Sequence, residues 1–289
     1  MQYKRPKKHI SGVLLLDKPL GFSSNQALQK IKWLLQAAKA GHTGTLDPLA
    51  TGLLPLCFGE ATKFAHYLTD ADKTYVATIK LGITTNTGDA EGEILSTQTV
   101  NVSQAQFEQA CKQFVGEITQ IPPMYSALKH EGKALYEYAR AGVEIERKAR
   151  NVYIHEIKVD SFAEDVAVIT VTCSKGTYIR TLAEDIGKQL GCGAHLIGLR
   201  RTASANYQIA QAITLEQFEA MSAEQRMSAL LPEDSAVMHL PAVTFDDDRV
   251  HYLQQGQAVW QGGVIPQGLL RLYTENQQFL GLGELQPDG

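Results

Sequence analysis

The feature that most constrains the fold is a two-residue alternation at Lys73–Leu81. Tyr75, Ala77, Ile79 and Leu81 fall on one side, with Thr74, Val76, Thr78 and Lys80 on the other. A half-buried strand has this period and a helix does not. Val152–Val159 and Val166–Cys173 share the alternation, while Gly12–Leu16 and Leu53–Phe58 are short apolar runs that predict buried strands. Between them, Ser23 or Ser24 can cap a helix to about Ala38, with Leu28, Ile31 and Leu35 on one face. Further helices are expected through Ala61, Phe64 and Leu68, and over Ser103–Val115, Tyr178–Leu190 and Glu216–Leu230. His195–Tyr207 opens another extended stretch. Strands grouped together, with helices between only some of them, predict an α+β fold and not a regular βαβ repeat. Past Leu231-Pro232 the chain turns to short strands, Gly and Gln without a helix, which places a domain boundary near Pro232.

The 289 residues leave room for one large domain or two smaller ones, and their net charge of -4 argues at first against a nucleic-acid partner. That mean conceals a gradient. Residues 1–50 carry eight basic and two acidic side chains, a net of +6, whereas residues 211–289 carry three basic and eleven acidic ones, a net of -8. Lys4, Arg5, Lys7 and Lys8 read as a solvated basic tail. The stretch from Lys129 to Arg150 is more suggestive. Lys129, Lys133, Arg140, Arg147, Lys148 and Arg150 alternate there with Tyr125, Tyr136 and Tyr138, pairing charge for phosphates with rings for bases. The closest two of the four cysteines are 19 residues apart, so neither a disulfide framework nor a zinc site is indicated, and HExxH is absent. The apolar run Val13–Leu16 ends at Asp17 and Lys18, too short for a signal segment. No run is long enough to span a bilayer, so a cytoplasmic location is expected.

The densest candidate for chemistry is Gly41-His42-Thr43-Gly44-Thr45-Leu46-Asp47-Pro48-Leu49-Ala50-Thr51-Gly52. It lacks the Lys of a P-loop, and no GxGxxG occurs, which disfavours nucleotide cofactors. Asp47 followed by Pro48 is a good helix start. Three Gly and three Thr around one carboxylate point instead to a shaped loop. Tyr75 alone would be core, Arg180 alone a surface partner of Glu184, and Lys18 a solvated or phosphate-contacting side chain.

Taken together, these motifs resemble the TruB family of tRNA pseudouridine-55 synthases. The matching blocks are Gly12–Pro19 with Gly21 and Ser24, then Gly41–Lys63, Leu81–Gly92, Ile121–Val152 and Cys173–Thr202, in the family order. The resemblance implies a mixed, mainly antiparallel sheet flanked by helices in a catalytic domain over residues 1–232. It also implies an RNA-clamping insertion at about 121–152 and a small β-rich PUA-like domain over 233–289. The implied reaction detaches uracil from its ribose, turns it, and rejoins C5 to C1′, in the T-loop of a tRNA. It needs no redox carrier, triphosphate or metal. On this resemblance Asp47 is the catalytic aspartate, Arg180 its partner, and Tyr75 the ring that stacks on the base. Leu199 is an apolar base contact, His42 enters the T-loop as the target nucleotide leaves, and Tyr178 and Lys18 are further substrate contacts. A monomer with a tRNA partner and no membrane association is expected. The presence of Asp47, Tyr75 and Arg180 together argues against a non-catalytic RNA-binding or tRNA-folding protein, and a hydrolase using Asp47 with His42 would leave the Lys18, Tyr75 and Arg180 blocks unexplained. Positive charge is expected around Asp47 and residues 129–150, with the acidic C-terminal part facing elsewhere.

Overall fold

The alternation at Lys73–Leu81 becomes a strand near the middle of a ten-stranded sheet in the computed structural model, which describes residues 7–262 and 267–289. Lys4 and Arg5 of the expected basic tail lie outside the described residues. The first part of the chain forms β1 (Gly12–Lys18), α1 (Ser24–Leu35), β2 (Ala40–His42) and β3 (Ala50–Phe58), then, past a 3-10 turn at Gly59–Lys63, α2 (Ala65–Asp70). Next come β4 (Lys73–Leu81), the hairpin β5 (Ile83–Thr85) and β6 (Ile94–Thr97), α3 (Gln104–Lys112) and β7 (Gly116–Gln120). The basic stretch holds β8 (Lys129–His130), β9 (Lys133–Ala134) and α4 (Leu135–Arg140). Two long strands follow, β10 (Arg150–Ala163) and β11 (Val166–Cys173), then α5 (Ile179–Gln189) and β12 (Ala194–Ser204). Short β13 (Tyr207–Gln208) and β14 (Ile213–Thr214) lead into α6 (Leu215–Ala220) and α7 (Ala223–Ser228). The C-terminal part is β15 (Ala242–Phe245), α8 (Asp247–Gln254), β16 (Gly268–Thr274) and β17 (Phe279–Leu285), whose three strands form a separate sheet.

The large sheet runs β14-β1-β3-β12-β4-β11-β10-β7, with β2 beside β3 and β13 beside β12. Only β1–β14 and β3–β12 are parallel in it, so it is mixed and mainly antiparallel, as expected. Gly12–Leu16 of β1 is apolar because both faces of the strand are covered. Leu14 and Leu16 meet Leu28, Ile31 and Leu35 of α1, while Val13 and Leu15 meet Leu68 and Tyr207 on the other face. Pro55 lies inside β3, where a proline would remove a ladder bond. The neighbour on that side changes here from β12, which pairs as far as Gly52, to β2, which begins opposite Leu56. Its carbonyl accepts from the Thr43 N–H at 3.1 Å. A second core joins α3 and α5 to β4, β10, β11 and β12, and Tyr75 and Leu199 pack against both cores.

Several boundaries depart from the sequence reading. The helix expected over Glu216–Leu230 is two helices, because Ser222 caps the second one in a Ser-x-x-Gln box and breaks the first at Met221. Gln36, left-handed at φ 57°, stops α1 short of Ala38. The helix expected through Ala61 and Leu68 splits into the 3-10 turn and α2. A helix, α8, does occur after Pro232. Asp246 caps it by accepting from the Arg249 N–H, but of its own residues only Val250 is buried, so it left almost no periodic trace. No helix of the described residues is long and apolar enough to cross a membrane.

Candidate active site

Asp47 does not start a helix. It sits in a turn whose carbonyl accepts from the Ala50 N–H at 3.0 Å, and β3 begins there. Ser24, buried at the start of α1, holds this turn from below. Its hydroxyl accepts from the Leu46 N–H at 2.7 Å and donates to the Leu46 carbonyl at 3.0 Å. Gly21 N–H donates to the Pro48 carbonyl at 2.9 Å. The Gly-Thr-rich loop is therefore fixed by backbone and hydroxyl bonds, and its carboxylate is the group left to face the cleft.

Arg180, in the first turn of α5, is buried and not the surface partner of Glu184. Its Nη2 meets Asp47 Oδ2 at 3.0 Å and donates to the Tyr125 carbonyl at 2.6 Å. Its Nη1 donates to the Thr87 carbonyl at 3.0 Å and lies 3.6 Å from Asp89 Oδ2. Asp89 is held in turn by the Thr87 hydroxyl at 2.6 Å and the Glu91 N–H at 3.1 Å. One guanidinium thus ties the Asp47 loop, the 86–92 turn and the chain at Tyr125 together. Burial raises the Asp47 pKa above the usual carboxylate range. Arg180 opposes that shift, Asp89 adds to it, and Lys18 opposes it from further off.

A cleft of two lobes meets at this ion pair. The outer lobe, about 790 Å³, lies between Ser23–Gln26 of α1 and Tyr136 and Arg140 of α4, with Glu91 beside them. The inner lobe, about 630 Å³, is lined by Tyr75, Leu199, Tyr178, Lys73, Arg150 and Arg201. His42, Asp47, Ser126 and Arg180 border both. The register of β4 against β12 puts Ala77 opposite Leu199 and Tyr75 opposite Arg201. The aromatic ring and the leucine thereby line one pocket, at the seam between the two cores.

The structure brings Asp47, Arg180, Tyr75, Leu199, His42 and Tyr178 to this cleft. Tyr178 is fixed by Gln120, whose side chain accepts from its N–H at 3.0 Å and donates to its carbonyl at 3.2 Å. Burial pushes the phenols of Tyr75 and Tyr178 up. It pushes His42 down, with Arg201 adding to the effect, and the His42 Nδ1 is buried without a hydrogen-bond partner among the described residues. Lys18 departs from its expected solvent or phosphate contact. It is fully buried, and its ammonium donates to the carbonyls of Phe22 at 2.5 Å and Pro19 at 3.0 Å. Burial lowers it to about 8, which Asp47 partly offsets. It closes the turn beneath the site and has no surface to offer a substrate.

Asp89, Gln120, Lys73 and Arg201 escaped the sequence reading. Asp89 lies inside the quoted Leu81–Gly92 block and Arg201 inside Cys173–Thr202, so block matching reached them, but nothing in their spacing distinguished them from structural residues. No group of three or more metal-ligating side chains occurs among the described residues.

Comparison with known proteins fits this geometry. Residues 32–179 match the N-terminal domain of the TruB family pseudouridylate synthases, residues 180–238 the tRNA pseudouridylate synthase B C-terminal domain, and residues 241–289 the C-terminal domain of pseudouridine synthase II TruB. The chain is 60% identical to the tRNA pseudouridine synthase B of Methylobacillus flagellatus over 98% of its length and 94% of that protein. It is 53% identical to the protein of the same name from Pseudomonas aeruginosa over 100% of its length and 96% of that protein. Among solved structures, a chain of a Cbf5-Nop10-Gar1 complex superposes with a TM-score of 0.72 at 30% identity, covering 96% of this chain and 79% of that one. An H/ACA RNP bound to a substrate RNA containing 2′-deoxyuridine gives 0.71 at 28% identity, covering 94% and 77%.

Proposed function

The chain belongs to the TruB family of pseudouridine synthases, and on that premise we propose that it isomerises uridine 55 in the T-loop of tRNA, acting alone in the cytoplasm and without cofactor. The observation that carries this reading is the Asp47–Arg180 pair at the waist of a two-lobed cleft, with a tyrosine and a leucine beyond it. In this reading residues 1–232 form the catalytic unit, residues 233–289 a separate module, and residues 121–152 the part that closes over the RNA.

A uridine stacked inside a T-loop cannot reach Asp47, so the target is flipped at a cost of a few kcal/mol. His42, on the border of both lobes, takes the space the nucleotide leaves. The uracil enters the inner lobe and rests on Tyr75 and Leu199, and its ribose C1′ lies over Asp47. Arg180 holds the carboxylate ionised against the pull of burial, ready to act on the sugar or the base. The flipped base and the insertion keep water from a detached uracil and an open sugar.

The test is direct. Unmodified tRNA transcript is incubated with the protein, and pseudouridine is mapped by carbodiimide treatment and primer extension. A stop at the T-loop uridine is expected, chelator leaves it unchanged, and Asp47→Asn removes it. Product elsewhere in the tRNA, or full activity in Asp47→Asn, contradicts the reading.

A further inference from the structure

Arg201 is among the largest fully buried side chains, 1% exposed, and it lines the inner lobe. Burying a guanidinium is expensive unless it is paired, and a carboxylate is the usual partner. No carboxylate among the described residues lies within ion-pair distance of it. Its Nε donates to the Leu53 carbonyl at 2.6 Å, and its Nη2 reaches the Gly44 carbonyl at 3.4 Å. The backbone approaches closely as well. A Cβ on Gly52 would lie 2.3 Å from the Arg201 carbonyl oxygen. The strand is thus pressed against β3, and the guanidinium is held between β3 and the Gly44 loop.

The residue directly across the ladder from Arg201 is Tyr75. A positive charge kept without a counter-ion acts on whatever polar group is nearest, and this phenol is in the same pocket. Arg201 opposes the rise that burial imposes on the phenol. The neighbouring cations respond in the opposite sense. Burial is the main cause of the lowered pKa values of Lys73, brought to about 8, and of His42, and Arg201 adds to both. Lys73 turns away, its ammonium donating to the carbonyls of Leu68, Thr69 and Ala71 at the end of α2. Arg201, directly across the ladder from Tyr75, is left to act on the phenol.

Resting on the function proposed above, we infer that Arg201 is a positioning residue that works through Tyr75. Anchored by two carbonyls and unneutralised, its guanidinium orients the phenol and stabilises negative charge on the phenol oxygen while Tyr75 lends its proton to N1 of the detached uracil and regains one from C5 once C5 is bonded to C1′. Arg201 itself does not touch the uridine.

A double-mutant cycle tests this. Single-turnover rates of pseudouridine formation on a T-arm RNA are compared for the native protein, Arg201→Met, Tyr75→Phe and the double variant, below the lowest melting midpoint. Arg201→Met should cost at least about tenfold in the native background and less than about twofold on top of Tyr75→Phe. Equal costs in both backgrounds mean that Arg201 merely braces Gly44 and Leu53, and they overturn the inference. Arg201→Lys keeps the charge and should recover most of the loss; a Lys variant no faster than Met overturns it too. If Arg201→Met does not fold, Arg201→Gln, which can still donate to the Leu53 carbonyl, takes its place in the cycle. Absence of product with the native protein overturns the function proposed for the site and this inference with it, an outcome distinct from equal costs.

Discussion

Glu184 shows at the scale of one residue how the site's charge is tuned. It follows Arg180 by one helical turn, a spacing that by itself suggests a surface pair, but Arg180 turns to Asp47, as the resemblance implied, and to Asp89. The Glu184 carboxyl is left packed on Gly88, so close that a Cβ there would lie 2.9 Å from its carboxyl carbon. Burial pushes its pKa up to about 7, Asp185 adds to the rise, Arg180 opposes it, and Asp89 adds a smaller push. A raised acid binds more protons in the folded chain than in the unfolded one between the ordinary glutamate value, about 4.5, and about 7. Stability therefore falls as pH climbs through that window. Glu184→Gln should melt like the native protein at pH 5 and be about 1–2 kcal/mol more stable at pH 8. An equal difference at both pH values would show that the carboxyl titrates normally. This group was not legible in the sequence, where its spacing from Arg180 suggested the opposite partnership. The Asp47 loop stood out in the sequence, because three Gly and three Thr surround one carboxylate there.

At the scale of elements, the start of α1 supports the Asp47 turn. Ser24 bonds both the N–H and the carbonyl of Leu46, next to Asp47. Losing two bonds at a buried site costs about 1–3 kcal/mol. Ser24→Ala should lower the melting temperature accordingly and reduce kcat more than it raises KM, because the carboxylate loses its fixed position while the cleft walls remain. A change confined to KM would place Ser24 on the substrate side. The elements themselves were read well where one periodicity ran long enough, as in β4, β10, β11 and α5. They were misread where local capping overrode it. Ser222 broke a helix whose apolar period continues, and α8 formed on a cap and a single buried valine. Burial of Lys18 was hidden for a related reason: a lysine just before a turn looks solvated until the segments that cover it are in place.

For the whole molecule, the charge gradient in the sequence has a spatial counterpart. Lys129, Lys133, Arg140, Lys148 and Arg150 are exposed on or beside the insertion, where Lys133 lies over the Tyr138 ring and Arg140 over the Tyr136 ring. None of the described residues beyond 232 lines either lobe, and the C-terminal sheet meets the rest of the chain with Phe279 against Phe64, just before α2. If three or four of the exposed cations meet phosphates, RNA affinity should fall about 40- to 150-fold between 50 and 200 mM salt. Replacing Lys129, Lys133 and Arg140 together by Ala should flatten that slope. A slope already flat in the native protein would mean that stacking and shape dominate.

The parallel pairing of β3 with β12 has a consequence for biosynthesis. Ala50 meets Leu199 across 149 residues of chain, and Arg180 and Leu199 are needed to complete the pocket around Asp47. Contacts of such sequence separation form late, after the loop between them has been ordered. A chain emerging from the ribosome can fold the β1–β3 hairpin early, yet it holds only half a pocket until β12 has left the exit tunnel. The nascent protein can therefore complete the pocket around Asp47 only in a late step, once β12 is free to pair with β3 and β4.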